Sequence, residues 1–390
     1  MPASFNSNPS GQDRQSCSKG LCRNPSPECL DRSSKSLHIG LINNMPDGAL
    51  EATERQFLSL LNSASDGISI RLSLYALPEI PRNEAAARHI GNFYSSVESL
   101  WDTQLDGLIV TGREPLAPNL ADEPYWGTFT KVLEWARDNT HSTVWSCLAA
   151  HAATLHMDGV RRIKSCQKNS GVFDCSQVSD HPLTSGTPSS FRLPHSRWNG
   201  LCEDELTRCG YKVLTRAADA GVDTFIKHCR SMFVFFQGHP EYEPNTLLLE
   251  YRRDVGRYLR GESAAYPLMP RRYFDEETVA ALEAVQQEAM TSRREELLAK
   301  VSGILERITI KNSWHTTAAC VYRNWLQYIC TQKKLQQRRS RLAVQAHATD
   351  SPIPAIAAIK DIPTAPVFVV NSQRPETAPT SSRNILPILI

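Results

Sequence analysis

The stretch Phe235-Phe236-Gln237-Gly238-His239-Pro240-Glu241-Tyr242 is the starting point for interpreting the rest of the chain. The apolar run at 232–236 predicts a short buried strand, which Gly238 and Pro240 end. His239 therefore stands where a strand gives way to a loop, with Glu241 two residues later. A histidine beside a carboxylate is typical of a catalytic base and the group that orients it, although a surface loop gives the same pattern. A base of this kind needs a nucleophile elsewhere in the chain.

The composition narrows the possible partners. The chain has 390 residues, of which 41% are hydrophobic and 22% charged, and its formal net charge is +2. This balance indicates neither a nucleic-acid partner nor a membrane surface. No apolar run approaches the ~20 residues that span a bilayer, and the N-terminus lacks the apolar segment of a secretory signal.

The cysteines bear on location and on metal binding. There are eleven, an odd number with scattered spacing, which is typical of reduced thiols in a cytoplasmic protein. Cys17, Cys22 and Cys29 lie near the N-terminus without histidines beside them, which argues against a zinc knuckle. We therefore expect no metal and no redox cofactor.

Strand-like and helix-like patterns alternate between residues 37 and 157. The alternation indicates an α/β fold with a parallel sheet and crossover helices. Later in the chain, short strands and longer helical patterns follow. The predicted strands are 37–42, 68–74, 106–110, 142–146, 170–173, 190–193 and 232–236, and the predicted helices are 49–62, 126–137, 148–157, 246–259, 276–307 and 318–330.

Composition divides the chain into three parts. Residues 1–36 are polar and lack periodicity, which predicts a disordered leader. Residues 37–331 carry the strand and helix patterns of one α/β domain. In residues 332–390, a basic run around Lys333-Lys334 predicts a solvated helix end rather than a nucleic-acid patch. The Pro-rich remainder of this last part predicts a disordered tail.

Cys147 is the candidate nucleophile. It stands between the predicted strand 142–146 and a helix that begins Leu148-Ala149-Ala150. A sharp strand-to-helix turn exposes such a side chain, and the helix N-terminus stabilises a thiolate. The turn lacks flanking glycines, so a buried structural cysteine fits this local pattern as well. The presence of His239 and Glu241 at another strand end favours the catalytic interpretation.

Several separated motifs lie in register along residues 37–331. Together they resemble the homoserine O-succinyltransferase and O-acetyltransferase family of methionine biosynthesis. The resemblance implies that 37–331 is an acyltransferase domain with a flavodoxin-like, class I glutamine-amidotransferase-like fold, a three-layer sandwich around a mostly parallel sheet. The motifs that carry it are Thr111-Gly112, Trp145-Ser146-Cys147, Lys168-x-Ser170-Gly171-Val172, Pro194-His195-Ser196-Arg197, Gly238-His239-Pro240-Glu241-Tyr242, Glu250-Tyr251-Arg252-Arg253-Asp254-Val255 and Asn324-Trp325-Leu326.

The resemblance also implies a two-step acyl transfer. Cys147 would attack the thioester of an acyl-CoA, and His239, oriented by Glu241, would then activate the hydroxyl of L-homoserine. Acyl-CoA would be a co-substrate rather than a cofactor, and the family's habit suggests a homodimer. The backbone N–H of Leu148 and a second at Gly112–Arg113 would hold the oxyanion.

Three further residues would contact the amino-acid substrate by the same resemblance. Arg253 would pair with its carboxylate through charge-assisted hydrogen bonds. Ser196 and Lys168 would bind polar groups of the substrate or support the acyl pocket. Without the resemblance, these three residues read as a helix arginine, a turn serine and a surface lysine.

Two loops depart from the family pattern. Asp47-Gly48 stands where the family usually has a lysine pair, so a cationic role there is lost or moved. In the loop after Thr111-Gly112, family members with succinyl-CoA have a glycine, and those with acetyl-CoA a glutamate, where this chain has Leu116. Arg113 offers a partner for a succinyl carboxylate, whereas Leu116 or Glu114 would shorten the pocket for acetyl. The sequence leaves both donors open, with succinyl favoured, and serine remains open as acceptor.

Other functions on this fold compete with acyl transfer. A glutamine-hydrolysing amidotransferase also uses a cysteine and a His-x-Glu, but its turn usually carries glycines that Ser146-Cys147-Leu148 lacks. A non-enzymatic binding protein of the same fold would not need Cys147, His239 and Glu241 together. The sequence therefore favours an amino-acid O-acyltransferase.

Overall fold

The computed structural model describes residues 4–5 and 36–349. Their main chain forms one large sheet, one smaller sheet and the helices that cover them. The strands are β1 Ser4–Phe5, β2 Ser36–Ile42, β3 Ser69–Ala76, β4 Ser95–Ser96, β5 Gly107–Val110, β6 Ser142–Ser146, β7 Ile163–Gln177, β8 Ser190–Gly200, β9 Lys212–Val213, β10 Thr215–Ala217, β11 Gly221–Val222, β12 Thr224–His228 and β13 Met232–Phe236. The α-helices are α1 Leu50–Ala64, α2 Glu84–Phe93, α3 Trp126–Asn139, α4 Leu148–Asp158, α5 Glu203–Arg208, α6 Thr246–Leu259, α7 Glu276–Thr291, α8 Leu297–Leu305 and α9 His315–Thr349.

The large sheet is mostly parallel, as the alternation of strands and helices predicts. Within the described residues it has nine strands, ordered β1-β3-β2-β5-β6-β13-β12-β9, with β4 beside β3. Along this order, neighbouring strands from β1 to β13 pair in parallel. β12 pairs antiparallel with β13, and β9 pairs antiparallel with β12. β6 and β13 are neighbours, with Ser146 opposite Phe236. The residues that follow these two strands therefore meet at one edge of the sheet, where α/β proteins place their sites.

Helices on both faces of the large sheet make the predicted three-layer sandwich. One apolar cluster packs α3 and α4 against one face, with Phe129 and Leu133 among its members. The other packs α1 and α9 against the opposite face through residues such as Phe57 and Trp325. Every residue of β5, β6 and β13 is buried. Strands covered on both faces are continuous apolar runs, which explains why the sequence pattern located them closely.

The smaller sheet was not predicted. It is antiparallel, in the order β11-β10-β7-β8, and β7 and β8 are much longer than the short strands predicted at 170–173 and 190–193. The first half of β7 is largely exposed and polar, so no apolar run marks it, and its register with β8 shifts between Lys164 and Asn169. The apolar side of this sheet packs against α6, α7 and α8.

Two helix predictions need correction. The single helix predicted at 276–307 is wrong, because Ser292 is extended, with φ −151° and ψ 115°, and separates α7 from α8. This break lets Leu282 of α7 and Val301 of α8 reach the same apolar cluster. The helix predicted at 318–330 lies within the longer α9, whose helical conformation extends through the basic run.

The ends of the chain are described only in part. The predicted disordered leader and Pro-rich tail lie outside the described residues, except that β1 pairs with β3 and Ser36 begins β2. In the basic run, Lys333 Nζ lies 2.8 Å from Asp106 Oδ2 and 2.8 Å from the Ser36 carbonyl oxygen. Among residues 36–349, no helix combines the length and the apolar character that crossing a membrane would require.

Candidate active site

Cys147 occupies a tight turn between β6 and α4. Its φ of 53° and ψ of −113° are unusual for a residue with a side chain, and its N–H donates to the Phe236 carbonyl oxygen at 2.7 Å. The thiol is free and half-buried, immediately before the first residue of the helix. The predicted strand–turn–helix is therefore present, with the thiol at the positive end of the α4 dipole.

His239 follows β13, the strand beside β6, and is fixed through its main chain. Its N–H donates to the Pro194 carbonyl oxygen at 2.8 Å, and its ring stacks on Tyr242 with centroids 4.1 Å apart. The preceding Gly238 has no room for a side chain, since a Cβ there would lie 2.7 Å from Asp223 Oδ1. The strand end and these contacts point the imidazole at the turn that carries Cys147.

Cys147, His239 and Glu241 form one hydrogen-bonded chain. The His239 imidazole bonds to the Cys147 thiol on one side, and its Nδ1 lies 2.8 Å from Glu241 Oε1 on the other. Burial favours the neutral imidazole, but the negative charges of Cys147 and Glu241 outweigh it and raise the pKa of His239 well above its usual value. The site thus favours an imidazolium beside Cys147, and a positive charge next to a cysteine favours its reactive, nucleophilic form.

Glu241 is buried behind the imidazole. Its Oε1 also accepts a hydrogen bond from Ser146 Oγ at 3.4 Å, while Oε2 has no partner in the part of the chain described. The negative charge of Glu241 contributes, after burial, to the raised pKa of the nearby Tyr322 hydroxyl. An anion with so few partners interacts strongly with His239.

The N-terminus of α4 offers the predicted oxyanion donor. The N–H of Leu148 belongs to the first turn, whose N–H groups have no acceptor within their own helix. Gly112, after β5, lies against this turn so closely that a Cβ there would be 2.6 Å from Leu148 N. Arg113 follows Gly112, so both predicted donor positions border Cys147.

Ser196 and Lys168 face α6 from the smaller sheet. Ser196 Oγ donates to Glu250, whose other oxygen accepts from Tyr242 Oη at 2.7 Å. Lys168 Nζ lies 3.8 Å from Glu250 Oε2 and 3.0 Å from Asp254 Oδ2. Glu250 therefore joins both predicted substrate residues to Tyr242, the residue stacked on His239.

Arg253 lies on the same helix but is already paired. Its Nε and Nη2 donate to Asp254 Oδ1 at 2.9 and 2.8 Å. Its side chain is 45% exposed, and the Asp254 bonds leave its Nη1 group to face other partners. Lys168 and Arg253 hold the pKa of Asp254 below its usual value although burial opposes this, so Asp254 remains an anion between two cations.

The donor loop after Gly112 is fixed by a residue that the sequence did not single out. The N–H groups of Leu116 and Ala117 donate to the buried Glu123 at 2.7 and 2.8 Å. The Leu116 side chain, at the position expected to discriminate donors, is 59% exposed. Glu114 is also exposed and pairs with Arg257 of α6 at 3.3 Å.

The loop that lacks the family's lysine pair has a different cation beside it. Arg82 Nη1 lies 3.2 Å from Asp47 Oδ1, and its Nη2 donates to the Asn43 carbonyl oxygen at 3.3 Å. This loop follows β2 and so borders the same sheet edge as Cys147. A positive charge therefore lies near the position of the missing lysines, neutralised by Asp47.

His195, Asp223 and Arg197 form a buried polar cluster next to the end of β13. His195 Nε2 lies 3.3 Å from Asp223 Oδ1, and its Nδ1 accepts from Arg197 Nε at 3.3 Å. Gln237 accepts from the His151 ring at 2.8 Å and so links α4 to the end of β13. In the sequence motif that contains His195 and Arg197, only Ser196 has a predicted role. Their roles depend on long-range pairing, and the local signal was a run of polar residues inside a strand.

Cys175, His195 and Asp223 have ligand atoms within 4.8 Å of one another, as a metal site would. The Asp223 oxygens, however, accept from Thr215, Thr224 and Gly238, and the Arg197 cation lies against His195. These hydrogen bonds account for the Asp223 oxygens without an ion, and a guanidinium beside the histidine opposes a second cation.

The fold and this geometry define an α/β protein with a cysteine–histidine–glutamate site at the carboxyl edge of a parallel sheet. The family model described as Homoserine O-succinyltransferase matches residues 25–335. The chain belongs to this family, and it is therefore an acyltransferase-class enzyme.

Curated relatives carry the same family name, and solved structures are more distantly similar. The homoserine O-succinyltransferase of Rhodopseudomonas palustris is 47% identical over 307 residues, covering 78% of this chain and 91% of the relative. That of Bradyrhizobium japonicum is 44% identical over 299 residues, covering 76% and 91%. Among solved structures, a glutamine amidotransferase of Methylobacillus flagellatus is 13% identical with a TM-score of 0.41, covering 75% of this chain and 95% of that one.

Proposed function

We propose that this protein transfers a succinyl group from succinyl-CoA to the hydroxyl of L-homoserine through an acyl-enzyme on Cys147, as a step of methionine biosynthesis. The hydrogen-bonded chain from Cys147 through His239 to Glu241 carries the proposal, because thioester chemistry needs a thiolate and a base that can return its proton. The names of the relatives supply the acceptor and the acyl group.

In the first step, the Cys147 thiolate attacks the carbonyl carbon of the thioester. The developing oxyanion lies against the N–H groups at the start of α4 and at Arg113, where fixed donors stabilise charge most effectively. The tetrahedral intermediate then collapses, the C–S bond to CoA breaks, and CoA leaves as a thiolate that takes the proton from His239. Cys147 is left as an uncharged thioester.

In the second step, His239 acts as the base. Acylation removes the negative charge of Cys147, one of the causes that raise the pKa of His239 against burial, so the imidazole more readily stays neutral. It takes the proton of the homoserine hydroxyl while that oxygen attacks the acyl carbon. Collapse releases the O-acyl product and restores the thiolate beside an imidazolium. Glu241 holds the ring in one tautomer throughout.

The charged groups on α6 and the smaller sheet suit a zwitterionic acceptor. The Nη1 group of Arg253 and the ammonium of Lys168 present positive charge for a carboxylate, and Glu250 presents negative charge for an ammonium group. Glu250 contacts Tyr242, which stacks on His239, so this recognition lies next to the base. A small amino acid bound here would bring its side-chain hydroxyl to the acyl-enzyme.

A donor-by-acceptor matrix tests the proposal. The full chain is incubated with succinyl-CoA or acetyl-CoA alone, and intact mass is followed for an acyl adduct; homoserine or serine is then added and the O-acyl product measured. We expect a succinyl adduct that homoserine discharges. Folded protein that forms no adduct with either donor would contradict the acyl-enzyme mechanism. Discharge of the adduct by serine but not by homoserine would identify serine as the acceptor. The homodimer and the cytoplasmic location stay predictions.

A further inference from the structure

The cationic side chains around the candidate site differ in whether they have a carboxylate partner. Lys168, Arg253 and Arg257 each have a carboxylate partner within 3.3 Å, and Arg82 pairs with Asp47 at 3.2 Å. Arg113, in contrast, has no carboxylate partner among the described residues. Its Nε donates to the Glu114 carbonyl oxygen at 3.3 Å, and its Nη1 is buried without an acceptor in that part of the chain. A buried guanidinium nitrogen without a partner is costly, which is a reason to look for a ligand.

Arg113, whose charge has no carboxylate partner among the described residues, lies in a loop next to the residue that would carry the acyl group. Arg113 follows Gly112, which lies against the first residue of α4, and Cys147 immediately precedes that helix. On its other side, Arg113 counteracts the burial and the Glu123 charge that raise the pKa of the Tyr125 hydroxyl, so it also lies near this buried group. The loop that carries Arg113 therefore borders the helix start next to Cys147, and its guanidinium lies near the Tyr125 hydroxyl.

The rest of the loop is fixed in a way that keeps other side chains away from this position. Glu123 binds the N–H groups of Leu116 and Ala117, and Arg162 Nη2 donates to the Pro118 carbonyl oxygen at 2.9 Å. With its main chain held so, the loop directs Leu116 largely to solvent. Glu114 turns outward to Arg257. Both side chains are therefore largely exposed, whereas Arg113 is partly buried.

We propose that Arg113 binds the distal carboxylate of a dicarboxylic acyl donor and thereby selects succinyl over acetyl; this inference rests on the proposed function. A succinyl carboxylate would form charge-assisted hydrogen bonds with the guanidinium, whose forked geometry suits a carboxylate. An acetyl group has no carboxylate, so the buried nitrogen would stay without a partner in the complex. Sites built to hydrogen-bond a substrate group discriminate strongly against an analogue that lacks it.

The experiment compares acylation of Cys147 in the full chain and in Arg113→Met, with succinyl-CoA and acetyl-CoA followed separately by rapid quench and intact mass. We expect Arg113→Met to lower the succinyl rate by about 100-fold, as loss of one partner of a buried charge pair does, and to leave the acetyl rate within about fivefold. Arg230→Met is the matched control, because it removes an exposed cation just before β13, at the end of that strand opposite His239, and it should change either rate by less than about fivefold. Arg113→Lys, which keeps the charge but not the fork, should recover part of the succinyl rate.

The outcomes separate this inference from the function on which it rests. Equal losses with both donors in Arg113→Met would make Arg113 a structural residue and overturn the inference, while acyl transfer itself would stand. A preference of the wild-type protein for acetyl-CoA would also overturn the inference about Arg113. A natural chain that forms no adduct with either donor would remove the proposed function and the inference together. Circular dichroism of each variant confirms that the rates are those of folded protein.

Discussion

The catalytic edge and the donor loop both follow strands of the same sheet, but they are held in different ways. Cys147 and His239 are fixed by main-chain hydrogen bonds to Phe236 and Pro194, next to strands buried at every position. The donor loop is held instead by side chains, above all the carboxylate of Glu123. Main-chain contacts tolerate changes in sequence that side-chain contacts do not. The arrangement of Cys147 and His239 is therefore built into the topology, whereas the conformation of the donor loop depends on a few charged residues.

The largest effect should come from removing the thiol. Cys147→Ala should abolish the acyl adduct, because Cys147 supplies the thiol that interacts with the His239 imidazole. Cys166, which is exposed on β7, provides the matched control, since Cys166→Ala removes a thiol outside the site. Intact mass after incubation with succinyl-CoA measures both variants. An undiminished adduct in Cys147→Ala would assign the nucleophile to another cysteine.

The next largest effect concerns the orientation and charge of His239. Glu241→Gln keeps the shape of the side chain but removes its negative charge, and related triads lose roughly 10⁴-fold in rate on such a change. Glu241 helps to raise the pKa of His239, so its loss should lower that pKa. The imidazolium is lost as pH rises through this pKa, so the alkaline limb of the acylation rate should move to lower pH.

A pH–rate profile of acylation, measured on wild type and Glu241→Gln, checks this prediction. The Ser146→Ala variant removes the other hydrogen bond to Glu241 Oε1 and leaves both charges in place, so its alkaline limb should stay near that of the wild type. An unshifted alkaline limb in Glu241→Gln would show that Glu241 does not set the charge of His239.

A smaller effect should follow when the donor loop is moved relative to the catalytic edge. In Gly112→Ala the new Cβ would lie 2.6 Å from Leu148 N, so the loop must move off the start of α4. Loss of one oxyanion donor typically lowers the rate constant by about 10²-fold. Gly127→Ala is the control, since a Cβ there meets nothing within 4 Å. Single-turnover acylation rates measure the difference, and equal rates in both variants would remove the oxyanion role of this contact.

The same contrast explains how much the sequence could predict. β6 and β13 begin and end where the apolar patterns place them, because burial on both faces leaves a continuous signal. α6 also has its predicted bounds, because its buried residues recur at helical spacing. The predicted strands at 170–173 and 190–193 are too short because the first half of β7 is exposed. The part of β8 that pairs with this half lies more than twenty residues away in the sequence. Pairing of this kind leaves little trace in local periodicity.

The candidate site divides in the same manner. The meeting of Cys147 with His239 followed from two strand ends and a resemblance. Glu123 was not identified, and Glu250 and Asp254 stand in a quoted motif without a predicted role. The partners of these carboxylates are distant in sequence or unmarked by local pattern. A carboxylate on a helix looks the same in the sequence whether it faces solvent or holds two cations.

Asp254 should give the smallest effect and the sharpest test of the acceptor region. It holds Lys168 and Arg253 in place while leaving Arg253 Nη1 to a substrate carboxylate. Asp254→Asn should therefore raise the KM for homoserine by about tenfold, since an unpaired or misplaced cation loses part of a charge-assisted bond. The rate of Cys147 acylation, which does not involve the acceptor, should be unchanged.

Glu288→Gln is the matched control for this variant. Glu288 on α7 also pairs with two cations, Arg294 and Lys300, but neither cation belongs to the proposed acceptor region. Steady-state kinetics with homoserine, together with acylation by intact mass, separates the two steps. If Asp254→Asn slowed acylation as much as it raised the KM, Asp254 would support the catalytic residues as well as the acceptor region. The contrast between a catalytic edge held by main-chain hydrogen bonds and a recognition region held by side chains would then fail at this position.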